Sequence, residues 1–272
     1  MIENHVLTIS EKQSASLDTL ICFDKYCTDH QLTYFLTYGT LLGAVRHHGF
    51  IPWDDDVDVF VPRDDYEKLI REFSDPTGHF KLFSCFNDPI YVRPYAKLEN
   101  MQTARLMPDG TVSDDGIGID LFPLDGLPED LEKAREIFKK QNDKYKDIIN
   151  RCDIYRFLKP KSAADFFKRS VGRILFAVGY LKRTGRAISV NPYGTRYDDC
   201  KKLASVVGLD SGKFRVYERE WFLPMQMDFE KHQFTVPSGY DQVLKLIYGD
   251  YMQLPPEDQR VPKHSDRFIW RQ

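Results

Sequence analysis

Residues 52–62 read Pro52-Trp53-Asp54-Asp55-Asp56-Val57-Asp58-Val59-Phe60-Val61-Pro62. From Asp56 to Val61 the pattern has the period of a β-strand. Asp56, Asp58 and Phe60 fall on one side and Val57, Val59 and Val61 on the other, and Pro62 stops the run. Two carboxylates two residues apart on a strand share a face, close enough to hold one or two divalent cations. Their oxygens suit Mg²⁺ or Mn²⁺. Without a cation the aspartates repel and raise each other's pKa, and at the end of a buried strand such a pair is costly. A solvated acidic turn is the ordinary alternative for an acidic run, and the strict alternation argues against it. An EF-hand loop starting at Asp54 fails, because Val59 stands where Gly is needed and Asp65 where Glu is expected.

Upstream, Tyr38-Gly39-Thr40-Leu41-Leu42-Gly43 joins a short strand (32–36) to a short helix (41–45). Glycine there lets backbone N–H groups and the Thr40 hydroxyl approach a phosphate at a helix N-terminus. A plain helix cap is the commoner use of such a turn. Set before an Asp-x-Asp strand, it supplies the other half of a site for a nucleoside polyphosphate and its metals. A third carboxylate is expected on a neighbouring strand. Asp120, in Gly118-Ile119-Asp120-Leu121-Phe122, has the required apolar-Asp-apolar form and is preferred to Asp125. Helices are predicted over about 11–30, 63–73, 128–150 and 162–182, a hairpin over 221–236 and a short helix over 241–247. The fold class is α+β, in one domain spanning 1–272. It has a core at about 11–126, a helical segment to about 205, and a C-terminal β/loop portion (206–272) that returns to the core.

Composition bounds the function. Hydrophobic residues make up 42% and charged residues 29%, and 38 basic against 41 acidic side chains leave a net charge of −3. No overall positive field points to nucleic acid. Five cysteines without CxxC spacing exclude a zinc ribbon and predict reduced thiols in the cytoplasm. The first residues carry Glu3 and His5 and no apolar run, unlike a secretory signal. The stretch 171–181 is too short to span a bilayer. A soluble protein, peripheral to the membrane at most, is expected.

Read together, Tyr38-Gly39-Thr40-Leu41-Leu42-Gly43-Ala44-Val45-Arg46-His47-His48-Gly49-Phe50-Ile51-Pro52-Trp53-Asp54-Asp55-Asp56-Val57-Asp58-Val59 resembles the signature of the LicD family. That family is similar to the nucleotidyltransferase fold and includes the catalytic domains of fukutin and fukutin-related protein. The resemblance extends to Arg63-Asp64-Asp65-Tyr66, to Gly118 through Gly126, and to Tyr248-Gly249-Asp250-Tyr251-Met252-Gln253-Leu254-Pro255-Pro256. It implies a nucleotidyltransferase-like mixed sheet flanked by helices. It also implies a phosphotransferase that moves a phospho-alcohol, such as phosphocholine, from a CDP-activated donor to a hydroxyl of a cell-surface glycan. Lipopolysaccharide, teichoic acid, capsular and lipid-linked glycans are the acceptor classes. By the family pattern Asp56 and Asp58 are metal ligands with Asp54 a third, Gly39 and Thr40 grip phosphate, and Arg46 and His48 lie near the donor. The animal relatives carry a zinc-binding insertion for which this chain has no cysteine spacing.

The chemistry expected is attack by the acceptor hydroxyl on the phosphorus bearing the alcohol, with CMP leaving. Asp56 and Asp58 hold one or two Mg²⁺ ions. Asp120 completes the metal shell or takes the hydroxyl's proton, and Arg46 with Lys97 neutralises charge on the leaving nucleotide. Lys97 as a plain surface lysine, and His47, His48, His264 and Arg260 as solvated side chains, remain the alternatives. Trp53, Tyr248 and Tyr251 read as packing residues. Transfer of the nucleoside monophosphate itself is the competing enzymatic reading, since the same site serves attack at either phosphorus. A binding protein with a dead centre is the non-enzymatic one. Residues 156–186 hold nine Lys/Arg against one acid, with Phe167, Val171, Ile174, Val178 and Leu181 on one side of a helical wheel. Either that apolar side packs on the core, or the segment makes a peripheral contact with the inner face of the membrane.

Overall fold

The computed structural model describes residues 5–88, 91, 93–155, 163–205, 213–262 and 265–271. Helix α1 (Ile9–Asp29) opens with a capping box in which Thr8 and Glu11 each accept the other's backbone N–H. Then come β1 (Phe35–Leu36), α2 (Tyr38–His47), β2 (Asp58–Pro62), α3 (Arg63–Glu72), β3 (Phe80–Phe83), β4 (Ala96–Asn100), β5 (Thr103–Leu106) and β6 (Ile117–Gly126). Three helices follow, α4 (Leu131–Tyr155), α5 (Ala163–Ala177) and α6 (Tyr180–Ser189). The chain ends with β7 (Lys202–Ala204), β8 (Tyr217–Glu218), β9 (Pro224–Phe229), β10 (His232–Pro237), α7 (Tyr240–Tyr248) and β11 (Arg267–Trp270).

The fold is α+β. Its central sheet has the order β1-β2-β6-β4-β3, and β7 and β8 extend it from the end of β6. β2 and β6 run parallel, and every other pair in the sheet is antiparallel. Parallel neighbours need a crossover, and the chain between β2 and β6 includes α3, which packs on both. Helix α1 lies against β4 and β6. Val59, Phe60, Val61, Leu121 and Phe122 are completely buried, which fixes the register of β2 on β6. The hairpin β9–β10 turns through Glu230 and Lys231, both left-handed, as a two-residue hairpin turn of this hand requires. It packs on α2 and β1, while α7 packs on α2 and β11 pairs with β5, so the last sixty residues close over the N-terminal half.

Four expectations change. The strand carrying the aspartates starts at Asp58, so Asp56 lies in irregular backbone just ahead of it. Helix α2 starts at Tyr38 (φ +46°), so Gly39 and Thr40 form its first turn and do not precede it. The single helix expected over 162–182 is two helices, broken at the left-handed Gly179 (φ +69°). Strands β5 and β11 were not foreseen. Each has only four residues, too few for periodicity to show, and they pair with each other outside the main sheet.

Candidate active site

Register assembles the site. Asp58 opens β2 and pairs with Asp120 of β6, and on the far side of β6 Asp120 pairs with Lys97 of β4. Directly paired residues project from the same face, so two carboxylates and an ammonium stand in a row across three strands. The Lys97 Nζ lies 3.8 Å from Asp120 Oδ1. Burial raises the pKa of Asp58 well above the ordinary carboxylate value. Asp56, Asp120 and Asp54 push it further in the same direction, and Lys97 opposes them. Asp58 thus feels three other carboxylates and one lysine, and of these Asp56 is exposed. Among the described residues no three Asp, Glu, His or Cys side chains are grouped tightly enough to hold a metal ion by themselves.

Helix α2 is docked onto the start of β2. The Asp58 N–H donates to the Thr40 hydroxyl at 2.8 Å, and the Thr37 N–H donates to the Asp58 carbonyl at 3.0 Å. Thr40 is buried; its hydroxyl thus fixes where Asp58 begins. Gly39 sits against Asp54, and a Cβ on it would lie 2.7 Å from Asp54 Oδ2. Gly39→Ala therefore displaces the Asp54 carboxylate from the first turn of α2. The expected result is a fall in kcat/KM of about 10²-fold, the order that a misplacement of roughly an ångström costs, with little change in melting temperature. Steady-state kinetics beside a thermal melt checks it.

The loop ahead of β2 is held by α1, which the sequence reading missed. Lys12 pairs with Asp55 at 2.9 Å, both largely buried, and Gln13 Nε2 donates to the Asp54 carbonyl at 2.8 Å. Asp55 thus points to α1, away from the row. The only signal was that Lys12, Gln13 and Ser16 share one side of the helix.

Other predicted residues lie further out. Arg46 donates from one guanidinium nitrogen to the Tyr251 carbonyl at 2.8 Å, which ties the C-terminal segment to α2. His48 is the left-handed C-cap of α2 (φ +58°), about 14 Å along the axis from Gly39 at 1.5 Å per residue. Its carbonyl accepts from the Glu230 N–H at 3.0 Å. Arg260 reaches back over the Trp53 ring at 6.0 Å. His264 lies outside the described residues. Asp125 is fully buried and receives two bonds from Arg63 at 2.6 and 2.9 Å, so it is committed to an internal ion pair.

Two cavities border members of this group. One, of about 320 Å³, is lined by Gly39, Arg46, Trp53, Asp54, Tyr248 and Gln253. The other, of about 80 Å³, includes Tyr91, Arg93, Lys97, Glu99 and Arg105. Asp54 borders the first, and Lys97, the partner of Asp120, borders the second.

The mixed sheet sets Asp58 of β2 beside Asp120 of β6, with the first turn of α2 docked against the start of β2. Residues 31–125 match the LicD/FKTN/FKRP nucleotidyltransferase domain. Over 265 residues, 95% of this chain and 96% of the relative, the sequence is 30% identical to the lipopolysaccharide cholinephosphotransferase LicD of Haemophilus influenzae. Shorter similarities join it to uncharacterized proteins of Rickettsia typhi (39% over 69 residues, 24% of this chain and 22% of the relative) and Rickettsia prowazekii (43% over 58 residues, 21% and 22%). The chain belongs to the LicD family, and it is a phosphotransferase.

Proposed function

We propose that the protein transfers phosphocholine from CDP-choline to a hydroxyl of a lipopolysaccharide or similar lipid-linked glycan, releasing CMP. The near full-length similarity to a lipopolysaccharide cholinephosphotransferase carries this reading. The row of Asp58, Asp120 and Lys97 across three strands supports it. We place the reaction in the cytoplasm, where the free cysteines Cys22, Cys27, Cys85 and Cys200 would stay reduced.

Asp56 and Asp58, with Asp54 beside them, are the residues that would hold Mg²⁺ or Mn²⁺. Mg²⁺ is commonly held by one or two carboxylates together with substrate phosphates, a mode that asks for no enclosed three-ligand cage. The repulsion that raises the Asp58 pKa is the cost such an ion would relieve. When bound, the ion supplies charge neutralisation at the donor's diphosphate. Asp120 takes the proton of the acceptor hydroxyl, with the Lys97 ammonium 3.8 Å from its Oδ1. The hydroxyl oxygen bonds to the phosphorus that bears choline, and the bond from that phosphorus to the CMP oxygen breaks. The cavity between Gly39, Arg46 and Trp53 receives the nucleotide end of the donor, and its Arg46 faces charge growing on CMP.

Product analysis with CDP-choline, Mg²⁺ and a lipopolysaccharide acceptor tests this reading. Free CMP and a phosphocholine-bearing acceptor are expected. Free phosphocholine with a cytidylylated acceptor would instead establish nucleotidyl transfer.

A further inference from the structure

Helix α5 presents its apolar side to the outside. Phe166, Phe167 and Ile174, with Val178 one residue past its end, are 58%, 69%, 62% and 55% exposed. At 100° per residue they fall within a sector of about 120°. Gly172, on the opposite side of the wheel, is buried, and the helix packs on α4 and α6. The side bearing Gly172 thus faces the protein, and the side bearing Phe166, Phe167 and Ile174 does not. Exposed aromatic and aliphatic side chains grouped in this way mark an interaction surface.

The charge around this face says what covers it. Residues 156–186 contain nine Lys/Arg and one acid in a chain of net charge −3. Among the described side chains, Arg173 on α5 and Arg183 on α6 are exposed. Arg183 reaches back toward the α5–α6 turn, its guanidinium 3.8 Å from where a Cβ on Gly179 would be. Arg186, by contrast, is engaged with the carbonyls of Cys85 and Phe86, and so anchors α6 to the body of the protein. Among the described residues no helix is long and apolar enough to cross a membrane. An apolar sector edged by arginines is instead the pattern of a helix lying in the plane of an anionic membrane surface. A protein partner for a patch this basic would need an acidic face with a matching apolar centre. An anionic bilayer offers both at once.

We propose that α5 docks the protein on an anionic lipid bilayer, with Phe166, Phe167, Ile174 and Val178 entering the acyl boundary and Arg173 and Arg183 at the headgroups. The proposal does not depend on which donor or acceptor the active site uses. It gives the site a fixed standing relative to a lipid surface.

Co-sedimentation of the full chain with vesicles of phosphatidylcholine containing phosphatidylglycerol, and with phosphatidylcholine alone, tests it. The wild type is expected to sediment with the anionic vesicles at low salt, to be released as salt rises, and to stay largely in solution with the neutral ones. Two double variants alter only exposed side chains. Phe167→Ser/Ile174→Ser should lower partitioning by roughly tenfold or more. Arg173→Glu/Arg183→Glu should do the same through charge, each lost arginine being worth about fivefold. Unchanged thermal melts show that both variants are folded. Wild type remaining in the supernatant at low salt would overturn the proposal, as would either variant sedimenting like wild type. So would a dimer in vesicle-free solution that Phe167→Ser/Ile174→Ser dissociates, because a second copy would then be what covers the face.

Discussion

Asp58→Asn is expected to cut transfer severely and, in metal-free buffer, to make the protein more stable. Both effects come from one cause. The folded protein holds Asp58 among three other carboxylates in a partly desolvated position, so its pKa stands well above the unfolded value. A group with a raised folded pKa contributes its stability below the unfolded pKa, near 4, and loses it as pH rises through the folded value. At pH 8 the ionised Asp58 is therefore a net cost to folding. Asparagine keeps the shape, removes the charge and can still donate or accept locally. A gain of about 0.5–2 kcal/mol is expected, the usual yield of relieving such a conflict. The gain should shrink as the pH is lowered toward 4, where the wild-type carboxylate is protonated anyway. Transfer should fall on the order of 10³-fold, the rate equivalent of the several kcal/mol that charge neutralisation at a phosphoryl group supplies. Adding Mg²⁺ and CDP-choline should raise the wild-type melting temperature by mass action and leave that of Asp58→Asn unmoved. Melts at pH 5 and pH 8, alongside turnover, read all of this.

The largest loss of stability is expected from the Arg63–Asp125 pair. Both side chains are almost wholly buried, and the guanidinium grips the carboxylate through two nitrogens while a third bond reaches the Ser189 carbonyl at the end of α6. Arg63→Ala leaves a carboxylate uncompensated in the interior and frees α6 from β6. Unfolding in urea should show a loss of about 3–5 kcal/mol. Asp125→Ala should cost a similar amount. Replacing the two together by Met and Leu should recover most of it, since the cost lies in the stranded charge and not in the lost bond. Asp120 and Asp125 are five residues apart on β6 and therefore project from opposite faces. One strand thus carries a carboxylate for chemistry on one side and a carboxylate for architecture on the other.

Much of this was legible in the sequence, and what was hidden shares a physical character. Alternation announced β2, the helical stripe of Tyr66, Leu69 and Ile70 announced α3, and the apolar-Asp-apolar form of residues 118–122 singled out the centre of β6. Those are local signals. The apolar-Asp-apolar form favoured Asp120 over Asp125, which is followed by Gly126, but nothing local showed what either carboxylate would meet. The partner, Lys97 for one and Arg63 for the other, distinguishes their roles. Residues 51–57 likewise alternate at their end like a strand. They are held instead by Lys12, Gln13 and Ser16 of α1, some forty residues away, which periodicity cannot see. The apolar stripe of α5 was visible, but its direction was not, because a helical wheel shows which residues share a side and not what that side meets.

The central claim is that Asp56 and Asp58 seat divalent ions against the diphosphate of a CDP-activated donor. Anomalous diffraction from crystals soaked in Mn²⁺ with CDP-choline tests it most directly. The account predicts at least one manganese peak bonded to carboxylate oxygens of Asp56 or Asp58 and to the donor's phosphates, and no such peak in Asp58→Asn. Donor density with its phosphates elsewhere and no metal at these carboxylates would contradict it.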